Sequence, residues 1–247
     1  MLLASAVHAQ NIPRMADGKP NFTGLWQALG TAYWDIEDHS AKAGPLFQLG
    51  ATGAIPAGLG IVEGGTIPYQ PAALARKKQN QANRLKDDPE AKCHMPGVPR
   101  ATYLPSPFQI IQGTDNILIA YEFATSNRTI AMKTHAAAPV DSWMGWSNGH
   151  WEGDTLVVDV TGLNGKSWLD RAGNFTSDKV HVTERYVLTD ATHLQYEATI
   201  EDPTVFTRPW KISLPLYRRM EKNAQLLEFK CVEFAEELLY GDLTKKK

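Results

Sequence analysis

The side chains best suited to chemistry are concentrated between Asp141 and Trp210. Four of the 7 Trp residues of the chain lie in the first part of this stretch, between Trp143 and Trp168. Several titratable residues follow them, namely Asp170, His181, Glu184, Arg185 and Glu197. Aromatic walls beside titratable groups are typical of a pocket for a small molecule. The sequence therefore predicts a small-molecule site in this stretch.

Two segments of this stretch, 179–188 and 194–201, have the alternating apolar pattern of a β-hairpin. A register that brings the two apolar faces together is strongly specified, because a slip of one residue would turn one face outward. This register pairs Val182 with Ile200, Leu188 with Leu194, Thr183 with Thr199, Arg185 with Glu197 and His181 with Glu201. Opposite charges in facing positions stabilise such a hairpin.

Glu184 is the exception to the alternating pattern, since it lies on the apolar face between Val182 and Tyr186. A carboxylate in that position is costly unless it is paired or protonated. A carboxyl group with a raised pKa is a candidate general acid or base. The alternative is a hydrated glutamate at the mouth of a barrel.

The catalytic hypothesis combines four residues. His181 and Glu184 form an acid–base pair, Arg185 holds an anion or a carbonyl oxygen, and Asp170 orients a partner or the substrate. The alternative is that His181 and Glu201 form an exposed ion pair of little energetic value. The residues predicted to bind substrate are Trp143, Trp146, His150, Trp151, Trp168, Tyr186 and Glu197. For His150, packing beside its aromatic neighbours is the competing interpretation.

Composition and motifs exclude several classes of protein. The formal net charge of -2 gives no reason to expect a nucleic-acid partner. The sequence lacks the glycine-rich phosphate loops of nucleotide-binding proteins, and its histidines lack the spacing of metal ligands. We therefore predict no cofactor and no metal. No apolar run approaches the roughly 20 residues that a membrane-spanning helix needs.

The N-terminus indicates export. Residues 1–10, MLLASAVHAQ, resemble the end of a signal peptide, with Val7-His8-Ala9 as a small-x-Ala cleavage pattern. Residues 11–247 then form a single domain in the periplasm or outside a bacterial cell. An even cysteine count in an exported chain favours a disulfide between Cys93 and Cys231, and two separate buried thiols are the alternative.

The predicted elements are mainly strands. A helix is expected at 71–85, with a Pro-Gly-rich loop at 44–69 that is either a lid or disordered. The predicted strands are 108–113, 116–123, 127–133, 155–161, 179–188, 194–201, 208–218 and 224–233. Since these strands follow one another without intervening helices, they predict an antiparallel barrel or sandwich.

Five blocks of sequence resemble a family of exported bacterial proteins that are mostly hypothetical. These blocks are CHMPGVPR, SWMGWSNGHWEGDTLVVDVTG, SWLDRAGNFTSDKVHVTERY, IEDPTVFTRPW and LLEFKCVEF. Both cysteines recur in similar proteins, and the resemblance therefore adds to the case for a disulfide. Members often have histidines where this chain has Ala138 and Thr176, so no role for those histidines transfers. Gly24-Leu25-Trp26 also looks like the first strand of lipocalins.

The sequence thus predicts a mainly β, lipocalin-like antiparallel barrel with one surface helix and a long N-terminal wrapping segment. The first functional hypothesis is an exported, cofactor-independent lyase, isomerase or hydrolase that acts on a small cyclic molecule, either aromatic or sugar-derived. The alternatives are a non-catalytic carrier of apolar small molecules and a structural envelope protein.

Overall fold

A computed structural model describes residues 12–44 and 46–244. The predicted signal remnant at 1–10 lies outside these residues. Nine strands form a closed barrel in chain order, which confirms the mainly β, lipocalin-like architecture. They are β1 (Gly24–Ala28), β2 (Phe108–Gln112), β3 (Asn116–Tyr121), β4 (Asn127–Ala131), β5 (Trp146–Glu152), β6 (Thr155–Thr161), β7 (His181–Leu188), β8 (His193–Glu201) and β9 (Trp210–Arg218).

The barrel has one parallel seam, between β4 and β5. Around a closed ring with an odd number of strands, up and down directions cannot alternate throughout, so one neighbouring pair must run the same way. Parallel neighbours need a long crossover, and residues 132–145 supply it. β4 and β5 pair only at Ile130 with Ser147 and at Ala131 with Asn148. The earlier residues of β4, from Asn127 to Thr129, are not paired with β5.

The barrel interior is filled by side chains. Along β7 every second residue is buried, as are the facing residues of β8, which is the pattern of strands with one face on a core. Strands on the other side of the barrel contribute residues that are equally buried, such as Trp26, Phe108 and Ile119. Apolar burial of this extent is the main source of the fold's stability. The clefts described below lie outside this packed interior.

The barrel closes between its first and last strands. Trp26 of β1 faces Arg218 of β9, whose guanidinium carbon lies 4.3 Å from the centre of the indole ring. The indole nitrogen donates a hydrogen bond to the Phe22 carbonyl at 2.8 Å. Gly24 has a φ of 149°, which residues with a side chain rarely adopt, and a side chain there would also displace the Arg218 guanidinium.

The predicted register of the β7–β8 hairpin is confirmed at all five residue pairs. The hydrophobic alternation was sufficient to set it, because any slip would have buried charges and exposed the apolar set.

One predicted strand is absent, and one observed strand was not predicted. Residues 224–233 form no strand, since closure of β1 on β9 leaves no free sheet edge there. β5, which the sequence analysis did not identify, pairs along its whole length with β6 through a turn at Gly153-Asp154. Its sequence WSNGHWE lacks the β-branched residues that mark most strands.

Helices occupy the connections and the C-terminus. They are α1 (Pro71–Ala82), α2 (Arg84–Asp87), α3 (Arg100–Tyr103) and α4 (Ala235–Thr244). The predicted helix at 71–85 is thus interrupted at Asn83, whose φ of -105° and ψ of 15° are not helical. The long wrapping segment lies between β1 and β2. Its Val62 forms a β-bridge with Ile212 of β9, and its Tyr69 forms one with Phe206 in the connection between β8 and β9.

The predicted disulfide is present between Cys93 and Cys231, which are 138 residues apart. It joins the wrapping segment to the chain that precedes α4. The aromatic rings of Phe123 and Phe229, 4.8 Å apart, hold the same C-terminal segment against the barrel. Among the described residues, no helix is both long and apolar enough to cross a membrane.

Candidate functional site

A cleft opens where β4 and β5 fail to pair. We call it the seam cleft, and its volume is about 910 Å³. Residues of β4 form one wall. The end of the crossover and the first residues of β5 form the other. Its apolar walls are Met95, Trp143, Met144 and Trp146, and its polar lining is Asn116, Asn127, Arg128, Thr129, Thr134, Asp141, Ser142, Ser147 and Asn164.

Arg128 separates the seam cleft from the barrel interior. Its guanidinium is almost fully buried and forms a two-pronged ion pair with Glu184, with Nη1–Oε2 and Nη2–Oε1 distances of 2.6 Å and 2.9 Å. The Glu184 side chain is 0% exposed. The carboxylate that broke the strand pattern is therefore paired inside the barrel, which removes most of the cost of burying it.

Three tyrosines and a serine complete the polar cluster around this ion pair. Tyr186 and Tyr196 donate hydrogen bonds to Glu184 at 2.9 Å and 2.7 Å. Arg128 donates to the hydroxyls of Tyr186, Tyr121 and Ser147 at 2.8 Å, 3.2 Å and 3.4 Å. Every N–H group of the guanidinium thus has an acceptor.

The electrostatics of the cluster fix its protonation. Burial raises the pKa of Tyr186 and of Tyr196 well above the ordinary value, and the charge of Glu184 raises each pKa further. Burial alone would lower the pKa of Arg128, but Glu184 raises it well above its usual range. Both hydroxyls therefore remain donors and the guanidinium remains charged. The cluster joins five strands, β3, β4, β5, β7 and β8, and its guanidinium and the hydroxyls of Tyr186 and Tyr196 offer no free donor to a ligand.

Asp170 lies in a different place, on the loop between β6 and β7, and is also 0% exposed. Its carboxylate accepts hydrogen bonds from the backbone nitrogens of Ile36, Ala172 and Asn174 and from the Asn174 amide, at 2.6–3.1 Å. Burial raises the pKa of Asp170 to about 7, and the nearby Asp35 charge adds to the increase. Asp170 joins this loop to the wrapping segment and does not line the seam cleft.

The other proposed catalytic residues lie on the outside of the barrel. His181 has a 40% exposed side chain, and its Nε2 lies 3.3 Å from Asp159 rather than from Glu201. Arg185 pairs with Glu152 at 2.9 Å, although Glu197 faces it in the backbone register. His181 and Glu184 project from opposite faces of β7. The convergence that the acid–base pair requires is therefore absent.

The predicted substrate-binding residues are likewise divided among several places. Trp143 and Trp146 line the seam cleft, and the His94 ring stacks on Trp143 at 4.7 Å. Trp151 stacks on Phe22 at 5.7 Å, and Trp168 is buried in the loop that carries Asp170. His150 is exposed beside Glu152, and Tyr186 belongs to the buried cluster. Only two of the four tryptophans share a cleft.

Sequence reasoning missed Arg128, although the signal for it was present. Arg128 alternates with Ile130 along β4, so it lies on the inward face just as Glu184 does along β7. A second charge of opposite sign on an apolar face is the partner that a buried carboxylate requires. Pairing the two exceptions would have placed both in the core.

Comparison of the chain with protein-family models, with curated proteins and with solved structures finds no match.

Proposed function

We propose that the protein is an exported, non-catalytic binding protein that holds a small cyclic molecule in the seam cleft. The observation that carries this proposal is the composition of the cleft, in which two indole rings and two thioethers form the walls. Trp146 is 38% exposed although it is a large apolar residue. An exposed tryptophan in a concave surface is typical of a ligand contact.

The polar lining favours a neutral ligand. Apart from Arg128, the polar side chains of the cleft are amides, hydroxyls and the single carboxylate of Asp141. Because the hydrogen-bond donors of Arg128 are all used within the buried cluster, no free cation among the described lining residues attracts an anion. Amides and hydroxyls beside an indole suit a ring that presents an apolar face and hydroxyl groups at its edge, as in sugar-derived or phenolic molecules.

The dispersion of the titratable residues favours binding over catalysis. Proton transfer needs an acid or a base within hydrogen-bond reach of the substrate. His181 and Arg185 are outside the barrel, Asp170 is buried in a loop, and Glu184 lies behind Arg128. None of these four lines the seam cleft. The enzyme hypothesis would therefore need a different set of residues.

The disulfide supports the proposed location. Disulfides persist in the periplasm and outside the cell and are rare in the reducing cytosol. The bond between Cys93 and Cys231 thus agrees with the export signal read from residues 1–10.

The test is a titration with N-phenylnaphthylamine, a neutral aromatic dye whose fluorescence rises in apolar surroundings. We expect saturable binding to the wild-type protein. Trp146→Ala should weaken it by about tenfold, because loss of one aromatic wall costs of the order of 1–2 kcal/mol. Trp34→Ala is the matched control, since Trp34 lies in a separate cleft and its loss should leave the dye affinity unchanged.

Two results would overturn the proposal. One is the absence of saturable dye binding, which favours a structural envelope protein. The other is equal loss of binding in Trp146→Ala and Trp34→Ala, which would place the dye elsewhere. Circular dichroism of each variant establishes that it is folded before the affinities are compared.

A further inference from the structure

A second cleft lies outside the barrel, between the wrapping segment and the helices. We call it the basic cleft. It has a volume of about 470 Å³, and the residues that define its chemistry are Trp34, Lys42, Arg84, Lys86, Arg171 and Glu237. It shares no lining residue with the seam cleft. The two clefts can therefore be tested independently.

Cationic side chains outnumber carboxylates among the residues that line the basic cleft. The lining includes Lys42, Arg84, Lys86 and Arg171 with Asp35 and Glu237, and each arginine is also paired with a glutamate beside the cleft. Lys42 and Lys86 take part in no ion pair in the described part of the chain. These two lysines are the cations that can attract an anion to this concave surface.

The aromatic residue of the cleft, Trp34, lies close to two guanidinium groups. The guanidinium carbons of Arg171 and Arg84 lie 4.6 Å and 5.3 Å from the centre of the Trp34 ring. Guanidinium groups stack on aromatic faces and present a planar fork that matches a carboxylate. Stacked in this way, the forks are oriented for a flat ligand with a carboxylate at its edge.

The two arginines differ in how firmly they are held. Arg171 donates from Nε and Nη2 to the half-buried Glu90, which also binds the fully buried Arg100. Arg84 instead pairs with Glu236 of α4, at Nη1–Oε2 and Nη2–Oε1 distances of 3.1 Å and 2.8 Å. The Glu236 side chain is 40% exposed. The Arg84 side chain is only 10% exposed, so Glu236 is the accessible partner of this pair. Displacement of the Glu236 carboxylate would open the Arg84 fork to a ligand.

Helix α4 is attached in an unusual way. Its acidic residues Glu236 and Glu237 face the protein, whereas Leu238 and Leu239 are each 71% exposed. A helix that docks for stability buries its apolar side. The ion pair of Glu236 with Arg84 is therefore one of the contacts that hold α4, together with the hydrogen bond from Gln48 Nε2 to the Leu243 carbonyl at 2.8 Å. The disulfide at Cys231 would keep a displaced helix close to the barrel.

We infer that the basic cleft is a binding site for a small planar carboxylate, and that Glu236 occupies Arg84 as an internal competitor of this ligand. The carboxylate of the ligand takes the place of the Glu236 carboxylate on the Arg84 fork, while its ring lies against Trp34. Binding thus releases α4 from its charge contact. The basic cleft and the seam cleft are separate sites, and each is proposed to bind its own ligand.

The test uses naphthoate, an aromatic carboxylate, with isothermal titration calorimetry. Removing the competing carboxylate should increase the affinity for naphthoate. If Glu236 leaves Arg84 free roughly one-tenth of the time, Glu236→Gln tightens naphthoate binding by about tenfold. Arg84→Met should weaken binding by at least about tenfold, through loss of the two-pronged contact. Glu228→Gln, which removes an exposed acid that pairs with Lys230 away from the cleft, is the matched charge control.

Two further measurements locate the effect. Naphthalenemethanol, the neutral analogue, should bind with an affinity that does not respond to Glu236→Gln. Trp146→Ala should leave naphthoate binding unchanged, so failure of the seam-cleft proposal would not affect this result. An unchanged or weakened naphthoate affinity in Glu236→Gln overturns the inference. The absence of naphthoate binding in both the wild type and Glu236→Gln overturns the inference as well. Because the predicted effect of Glu236→Gln is a gain in affinity, misfolding of the variant cannot imitate it.

Discussion

Glu184 and Asp170 are both cut off from water, but their negative charges are stabilised in different ways. Glu184 faces a guanidinium and two tyrosine hydroxyls at the centre of the barrel. Asp170 has only amide donors, three from the backbone and one from Asn174, and a second carboxylate, Asp35, lies nearby. Glu184 is hydrogen-bonded to a guanidinium, whereas Asp170 accepts no hydrogen bond from a charged group among the described residues.

This difference separates two uses of a buried acid. A carboxylate in a two-pronged ion pair acts as a structural element. For Asp170, burial and the charge of Asp35 raise the pKa to about 7, although the hydrogen bonds from Asn174 and Ile36 lower it. A perturbed pKa is often taken as a sign of catalysis, but structural networks produce one too. Here it belongs to a residue that ties a loop to the wrapping segment.

The largest expected effect comes from removing the charge of Glu184. Glu184→Ala leaves the Arg128 guanidinium buried without a counter-ion, and we expect a loss of about 3–5 kcal/mol in the free energy of unfolding. Chemical denaturation measures this change. The control is the double variant Glu184→Leu with Arg128→Met, which removes both charges and should recover most of the loss.

A Glu184→Ala variant that loses less than about 1 kcal/mol would show that water enters the cluster and replaces the carboxylate. In that case the seam cleft would extend into the barrel, and the contrast between the two carboxylates would disappear.

The second prediction concerns the pH dependence due to Asp170. Its pKa is about 7 in the folded state and close to the ordinary 3.8 in the unfolded chain, so the folded state retains the proton between these values. The free energy of unfolding therefore falls as pH rises through this interval, by roughly 4 kcal/mol at most. Asp170→Asn cannot titrate, so the stability difference between the wild type and the variant should shrink as pH rises.

The matched control for this prediction is Asp35→Asn. Removing the neighbouring charge lowers the pKa of Asp170, and the pH dependence of unfolding should become shallower. A stability difference between the wild type and Asp170→Asn that stays constant or grows with pH would mean that the amide donors outweigh burial. The folded state would then hold Asp170 in its charged form.

The sequence contained enough information for the barrel and for one hairpin in full. Alternation along 179–188 and 194–201 determined which face of each strand is buried, and the register followed from it. The same reasoning could not find β5, because WSNGHWE has no apolar alternation. It also could not show that 224–233 lacks a strand, because the closing contact between β1 and β9 joins residues almost two hundred positions apart.

The candidate site was predictable only in part, for a related reason. Trp143 and Trp146 are close in sequence and line the same cleft. His181 and Glu184 are also close in sequence, but a strand sends residues three positions apart to opposite faces. The seam cleft itself depends on the parallel pairing of β4 and β5, which comes from the odd strand number and not from any local motif.

The smallest expected effect compares one tyrosine hydroxyl from each region. Tyr196 donates to the charged Glu184 at 2.7 Å, whereas Tyr103 donates to the neutral carbonyl of Leu169, beside Asp170, also at 2.7 Å. Hydrogen bonds to charged groups contribute about 1.5–3 kcal/mol and neutral ones about 0.5–1.5 kcal/mol. Tyr196→Phe should therefore cost more than Tyr103→Phe, by about 1 kcal/mol in chemical denaturation. Because both hydroxyls are buried and both substitutions remove the same atom, an equal cost would mean that the charge of Glu184 is already satisfied by Arg128 alone.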